Sequence, residues 1–180
     1  PAHHRRIQAG ILSWGQDLDH EHNPFQCNLG YQVSLSGKGE WAKKGDYVGK
    51  QALEKMKADL KDGHKPYKLQ LVGFEIGGKP IDEYAPDFWL VSPGDGGDPC
   101  GFITSPWYHP EKGKNIAMGY IPFDGTLNPN GFPKWELGKK FKVHLPDIYA
   151  DEPGVPVDAV TVDVPFTESF NANTREVVKG

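Results

Sequence analysis

Apolar side chains near the start of the chain recur with the spacing of a helix. Ile7, Ile11 and Trp14 are four and three residues apart, which places them on one face of a helix. The polar stretch QDLDHEHNP (16–24) follows, and its Asn-Pro pair favours extended backbone. We therefore expect a first helix that ends in a polar turn. A helical pattern that begins this early also suggests a fragment of a longer protein.

A second helical pattern, VGKQALEKMKADL (48–60), is more regular. Its apolar positions form one stripe made up of Val48, Ala52, Leu53, Met56 and Leu60. Asp46 is expected to cap this helix at its start, and Gly63 follows its end. Between the two helices, YQVSL (31–35) alternates apolar and polar residues and predicts a short strand.

From residue 67 onward, apolar residues tend to recur at every second position, as they do in β-strands. Short β-type runs are separated by Gly, Pro and Asp turns, and they read YKLQLVGFEI, DFWLV, GFITSPWY, IAMGYIPF, KKFKVHL and VDAVTVDVPF. No helical pattern interrupts them, which is typical of an antiparallel barrel or jelly roll. The sequence therefore predicts an α+β fragment at 1–64, followed by an all-β antiparallel jelly-roll/barrel domain at 65–180.

Composition narrows the class of protein. The 180 residues are 37% hydrophobic with a formal net charge of −4, and the mean hydropathy is −0.58. Lys and Arg are scattered, which argues against a nucleic-acid partner, and no apolar run is long enough for a membrane span. Cys27 and Cys100 are too few for a disulfide scaffold, so we expect a cytoplasmic protein.

The densest group of chemically active side chains consists of Asp17, Asp19, His20, Glu21 and His22. His20 and His22 form an H-x-H pair, which supplies two metal ligands when both side chains share one face of a strand. His109 or His144 would have to complete such a site. A metal-dependent β-barrel enzyme is therefore one hypothesis for this chain.

A polar turn is the alternative interpretation of the same residues. Asp17 and Asp19 would accept backbone N–H groups, as in an Asx-type turn, while His20 and His22 would face water. Replacing Asp17 by alanine would then lower stability by about 1 kcal/mol. Neither a G-x-S-x-G nucleophile motif nor a phosphate-binding loop is found, so the residues alone do not identify a reaction.

Four stretches in order resemble the glycine-cleavage T-protein family. RIQAGILSWGQDLDHEHNPFQCNLGYQVSL resembles the family segment that runs R-[LI]-E-x-G-x-x-x-Y-G-x-D-[IM]-D, followed by P-x-E-x-x-L-x-W. GDYVGKQAL resembles D-F-[IV]-G-K-x-A-L, and GFITSPWYHPEKGKNIAMGYIP resembles the family's T-S and I-A-M-G-Y segment. VPFTESFNANTREV resembles its closing strand. Together they extend from about residue 5 to residue 170.

The resemblance implies a tetrahydrofolate-dependent one-carbon transferase. This family includes the aminomethyltransferase of glycine cleavage, dimethylglycine and sarcosine enzymes, and several demethylases, and its three domains surround a folate channel. This chain would be the end of the second domain and the whole third domain. The catalytic Asp would lie upstream, so no catalytic residue is expected here. The expected partners are tetrahydrofolate, a small methyl or aminomethyl donor, and the remainder of the polypeptide.

Departures from the family pattern mark the residues expected to bind the cofactor. Gln8 replaces the Glu of R-[LI]-E, Tyr31 replaces the usual Trp, and Phe170 or Asn171 stands where T-proteins have a Tyr. Further differences are Gln26 in place of the Glu of P-x-E, and Ala2 in place of an Arg. Amides keep hydrogen bonding but lose charge. These differences favour a demethylase-like branch, or else a non-catalytic folate-binding or interaction module of the same fold.

Overall fold

The structure, a computed structural model, describes residues 2–35 and 46–166. Contacts between Cα atoms divide the chain into two compact units. Unit 1 comprises residues 1–19, 71–121 and 136–180, and unit 2 comprises residues 20–70 and 122–135. Each unit thus combines separate stretches of sequence. The expected division into evolutionary domains at 1–64 and 65–180 stays a prediction.

The first helix is shorter than its apolar spacing predicts. Helix α1 covers Ala2–Gln8, and Gly10 follows it with a φ of +68°, a conformation that suits glycine and ends the helix. Ile7 is buried, whereas Ile11 and Trp14 are 59% and 68% exposed. The predicted continuation of the helical face to Trp14 is therefore wrong.

Helix α2, Lys50–Lys61, ends as the sequence predicts but begins differently. Gly63 has a φ of +82°, and its N–H donates to the carbonyl of Leu60 over 3.1 Å. The predicted cap at Asp46 is wrong, because Gly49 occupies the N-cap position, and no side chain in the described part of the chain caps the helix. Asp46 instead lies 3.9 Å from Nζ of Lys50.

Residues 31–35, predicted as a strand, do not form one. A short 3₁₀ helix covers Gly30–Gln32, with Val33 N–H donating to the carbonyl of Gly30 over 3.1 Å. Gly30 is buried between the rings of Phe25 and Phe132, which leave no room for a Cβ. This packing requires a compact turn, and it overrides the alternating pattern.

All six predicted β runs form strands. Their bounds are β1 Leu69–Ile76, β2 Trp89–Pro93, β3 Gly101–His109, β4 Lys114–Pro122, β5 Lys140–Val143 and β6 Val157–Val162. They close into a barrel in the order β1-β4-β3-β2-β5-β6. The neighbours β1–β6, β2–β3, β2–β5, β3–β4 and β5–β6 pair antiparallel. The predicted fold class, an α+β fragment followed by an all-β antiparallel jelly roll or barrel, is confirmed, and the structure has a small helical part followed by a closed antiparallel barrel.

Side chains at every second position of β6 point into the barrel, where aromatic rings also pack. Val157, Ala159 and Thr161 of β6 are buried, whereas Asp158 is exposed. Inside, the rings of Phe74 and Phe141 meet edge to face with centroids 5.9 Å apart. Alternate side chains of a strand point to opposite faces, so β6 supplies one row of buried side chains to this core.

Unit 2 has a smaller core of its own. Phe25, Leu60 and Phe123 are buried together. Leu53 and Met56 of α2 pack against them, so the predicted stripe is correct for its second half. Val48 precedes the helix and is fully exposed, so the start of the predicted stripe is wrong.

Two further expectations concern the environment of the protein. In the described ranges, no helix has the length and apolar character needed to cross a membrane. Cys27 and Cys100 are not joined in a disulfide.

Glu75 of β1 joins the β3–β4 hairpin by two ion pairs, and we expect it to make stability depend on pH. Its carboxylate lies 2.7 Å from Lys114 Nζ and 3.5 Å from Lys112 Nζ. Burial raises the pKa of Glu75, but the two lysines outweigh burial and lower it overall. A lowered pKa gives stability that is present above the ordinary Glu value of about 4.3 and is lost as pH falls below it.

Urea unfolding of Glu75→Gln and of the wild-type chain tests this expectation. At neutral pH the variant should be about 0.5–1 kcal/mol less stable, and the difference should vanish near pH 3. The exposed Glu152→Gln is the matched control and should show no such pH-dependent difference. A loss of stability that stayed constant from neutral to acid pH would contradict the role of the ion pairs.

Candidate functional site

Asp17, in the turn after α1, is the centre of a buried polar group. It is 1% exposed. Its Oδ2 accepts the backbone N–H of Ser13 over 2.8 Å and Nη1 of Arg6 over 2.9 Å. Its Oδ1 accepts the hydroxyls of Thr104 and Ser105, each over 2.5 Å. We call Arg6, Asp17, Thr104 and Ser105 the Asp17 cluster.

A β-bulge lets two consecutive hydroxyls reach the same oxygen. Neighbouring residues of a regular strand point to opposite faces, so Thr104 and Ser105 would normally diverge. The register of β3 with β4 shifts between Ile103 and Ser105. The bulge re-aims the side chains, and both hydroxyls turn toward Asp17. Strand geometry here is therefore adapted to the carboxylate.

Arg6 and Gln16 extend the group around the carboxylate. Nη2 of Arg6 donates to Oε1 of Gln16 and to Oγ of Ser105, each over 2.9 Å. Nε2 of Gln16 donates to the carbonyl of Thr104 over 2.7 Å. The guanidinium therefore ties α1 both to the turn that follows it and to β3.

The backbone of Asp17 is also held. The buried hydroxyl of Tyr120, in β4, donates to the carbonyl oxygen of Asp17 over 2.6 Å. Tyr120 packs against Phe102 with ring centroids 5.3 Å apart. The turn is thus fastened by both its side chain and its main chain.

The chemistry of the Asp17 cluster is that of a structural anchor. A carboxylate has about four acceptor positions, and Asp17 receives four donors. Its side chain is 0% exposed. With no remaining lone pair and no access for a substrate, it is unsuited to be a general base. The expected backbone bond is confirmed for Asp17, and Arg6 and two hydroxyls bind its carboxylate as well.

The other residues of the acidic turn differ in their environments. His20 is exposed, as expected. His22 is half-buried and has an interaction within the protein, so the expectation that it simply faces water is wrong. The backbone bonds expected of Asp19 stay a prediction. Among the described residues, no group of three or more His, Cys, Asp or Glu side chains could hold a metal ion.

The residues expected to bind the cofactor lie in different parts of the chain. Gln8 is the last residue of α1, is half-buried, and accepts the N–H of Phe166 through its backbone carbonyl over 2.9 Å. Tyr31 belongs to unit 2 and is 71% exposed. Phe170 and Asn171 lie outside the described residues. Gln8 and Tyr31 belong to separate units, and their role toward a cofactor stays a prediction.

Gln26, which replaces a family Glu, takes part in a local turn. Its N–H donates to Oδ1 of Asn23 over 2.9 Å, and its Oε1 accepts from Nδ2 of Asn23 over 3.3 Å. The backbone carbonyl of Gln26 accepts from the buried amide of Gln70 over 2.9 Å. The side-chain amide of Gln26 therefore makes a local hydrogen bond to Asn23 that does not require a charged group.

Sequence reasoning missed the partners of Asp17. Arg6 belongs to the quoted RIQAG segment, and Thr104 and Ser105 belong to GFITS. Arg6 and Ser105 are 99 positions apart, and no local pattern indicates that they meet. The sequence did offer one indication, because Arg6 and Ser105 both lie in segments that resemble the same family.

Asp17→Asn should lower the free energy of unfolding by about 3–5 kcal/mol, because it leaves the largely buried Arg6 guanidinium without its carboxylate partner. This is well above the roughly 1 kcal/mol expected of a turn cap. Chemical denaturation measures the difference, and a double-mutant cycle with Arg6→Met should show strong coupling. Asp95→Asn, in an exposed turn, is the matched control. A loss no larger than that of a cap would contradict the anchor.

Comparisons with known proteins agree with the motifs. No protein-family model matches the chain. An aminomethyltransferase of Synechocystis sp. is 32% identical over 117 residues, which cover 65% of this chain and 27% of that protein. An aminomethyltransferase of Thermosynechococcus vestitus is 30% identical over 162 residues, covering 89% of this chain and 35% of that protein. The chain therefore spans about a third or less of the length of these relatives.

A solved structure supports the fold. The glycine cleavage system aminomethyltransferase T from Bartonella henselae superimposes with a TM-score of 0.61 at 20% identity, over 91% of this chain and 37% of that chain. In sequence and in fold, the chain resembles the C-terminal portion of the glycine-cleavage T-protein (aminomethyltransferase) family, and the resemblance predicted from its motifs is confirmed.

Proposed function

We propose that this chain is the C-terminal part of a tetrahydrofolate-dependent one-carbon transferase that acts as a longer polypeptide. The observation that carries the proposal is the Asp17 cluster, because it joins two of the family's motifs. Arg6 and Asp17 come from the first motif, and Ser105 comes from the third. A shared network of buried polar contacts gives a physical reason for those motifs to occur together.

The proposed role of this part is to bind and orient rather than to perform the chemistry. Asp17 is enclosed by its four donors, and no catalytic residue is assigned to this chain. The catalytic Asp is proposed to lie upstream in the polypeptide. When bound, the reduced pterin would supply the nitrogen that accepts the one-carbon group.

Exposed apolar side chains support the proposal that other domains of the same polypeptide pack against this part. In unit 1, Ile11 and Trp14 stand on the turn anchored by Asp17 and are 59% and 68% exposed. The relatives are about three to four times as long as the matched region. We propose that the remaining domains of the same polypeptide cover part of this surface, in a cytoplasmic protein.

Gln8 and Tyr31 are the described residues proposed to contact the folate. An amide such as Gln8 can donate and accept hydrogen bonds, which suits the donor and acceptor edge of a pterin. Tyr31 offers an exposed ring for stacking, and its hydroxyl accepts from Nε2 of Gln32 over 3.0 Å. Phe170 and Asn171 complete the proposed set.

The proposed branch is demethylase-like, with a small methyl or aminomethyl donor. Gln8 and Gln26 are uncharged where the family has Glu, and Ala2 replaces an Arg that contacts substrate in many T-proteins. These changes remove charge that an amino-acid-derived donor would use. An upstream sequence that has the catalytic Asp would favour this proposal. An upstream sequence without it would favour the alternative, a non-catalytic folate-binding or interaction module motivated by the same substitutions.

Titration calorimetry of the full-length polypeptide with tetrahydrofolate tests the proposal. We expect saturable binding, and we expect Tyr31→Ala to weaken it about tenfold, since aromatic stacking on a heterocycle contributes roughly 1–3 kcal/mol. Tyr31→Phe keeps the ring and should bind nearly as well as wild type.

Tyr47→Ala is the matched control, because Tyr47 is 40% exposed and is not proposed to contact folate. Absence of folate binding by the folded full-length protein would reject the proposed function. Equal weakening by Tyr31→Ala and Tyr47→Ala would reject only the assignment of Tyr31.

A further inference from the structure

Two histidines join α1 to the end of β3. The rings of His4 and His109 meet edge to face, with centroids 5.6 Å apart. His109 is the last residue of β3 and is 1% exposed. Both residues belong to unit 1. The Asp17 cluster holds the same helix at Arg6, so α1 has two separate attachments.

The hydrogen bonding of His109 suits a neutral imidazole. The N–H of Lys112 approaches Nδ1 of His109 at 3.4 Å, so this nitrogen is the acceptor and the ring hydrogen is on Nε2. Nε2 of His4 and Nε2 of His109 are both buried and have no hydrogen-bond partner among the described residues. A positive charge added to either ring would be buried without a counter-ion, which is strongly unfavourable.

The charged groups nearby do not supply that counter-ion. On α1, His3 and Arg5 flank His4 and are basic. In the β3–β4 hairpin, Lys112 and Lys114 are both paired with Glu75. Burial lowers the pKa of His109, and His4 and Lys112 lower it further; the nearby Glu111 carboxylate acts in the opposite direction without reversing the shift.

We propose that the His4–His109 contact is an acid-sensitive clasp, in which protonation of His109 releases the first turn of α1 from β3 while the Asp17 cluster keeps Arg6 in place. Once released, the His109 imidazole is hydrated and accepts a proton near the ordinary histidine pKa of about 6.5. The clasp is therefore closed above that pH and opens as pH falls below it. This inference concerns only the docking of α1 and does not depend on folate binding.

A neighbouring ring group moves with the clasp. The ring of His3 lies 5.0 Å from that of Tyr84 and 5.9 Å from that of Trp107, measured between centroids. His3 and His4 share the first turn of α1. Opening of the clasp therefore separates His3 from Trp107 as well, although His3 itself has exposed surface.

Amide hydrogen exchange of the 180-residue chain tests the clasp. The amides of Arg6, Ile7 and Gln8 bond back to the first turn of the helix, so they report its release. After correction for the intrinsic effect of pH on exchange, their protection should fall about tenfold between pH 7.5 and pH 5 in the wild-type chain. His109→Phe keeps an aromatic ring that cannot be protonated, and it should lose less than about twofold.

His20→Gln is the matched control, because His20 is exposed and lies outside the contact. It should behave like the wild-type chain. His109→Leu, which also cannot be protonated, serves as the second variant if His109→Phe does not fold, with the same expected result. Constant protection of α1 in the wild-type chain, or an equal loss in a folded His109 variant, would overturn the clasp.

Discussion

The burial of one carboxylate constrains the whole N-terminal part of unit 1. A charge removed from water must be fully paired, and Asp17 meets this requirement with an arginine, two hydroxyls and a backbone N–H. These donors come from α1, the following turn and β3, so all three must be in place together. The same requirement explains the bulge in β3, because a regular strand would aim only one of its two hydroxyls at Asp17.

The turn that Asp17 anchors is held against the barrel and exposes apolar side chains. A barrel strand such as β4 is buried along most of its length, from Asn115 to Ile121, and the hydroxyl of Tyr120 in this strand reaches the turn. Fixed in this way, the turn exposes Ile11 and Trp14 rather than burying them. Apolar side chains exposed on a rigid scaffold support the proposed role within a longer polypeptide.

Structural elements with a strong local sequence pattern were predicted correctly, and elements with a weak or mixed pattern were not. Six strands followed from period two, and the end of α2 followed from Gly63, because both depend on neighbouring residues. The strand expected at 31–35 failed because Gly30 packs between two rings from elsewhere in unit 2. The cap expected at Asp46 failed because α2 begins only at Lys50.

The sequence by itself determined the fold class and the family resemblance, since both follow from recognisable local patterns and motifs. It drew attention to Asp17 but not to its partners Arg6, Thr104 and Ser105. Only the tertiary structure decided what Asp17 does. Its partners Thr104 and Ser105 are 87 and 88 positions away, and no periodicity encodes such a pairing. The contact forms when the barrel brings β3 against the turn. A side chain that looked like a turn former is therefore a buried ionic anchor, because burial and pairing depend on the folded chain.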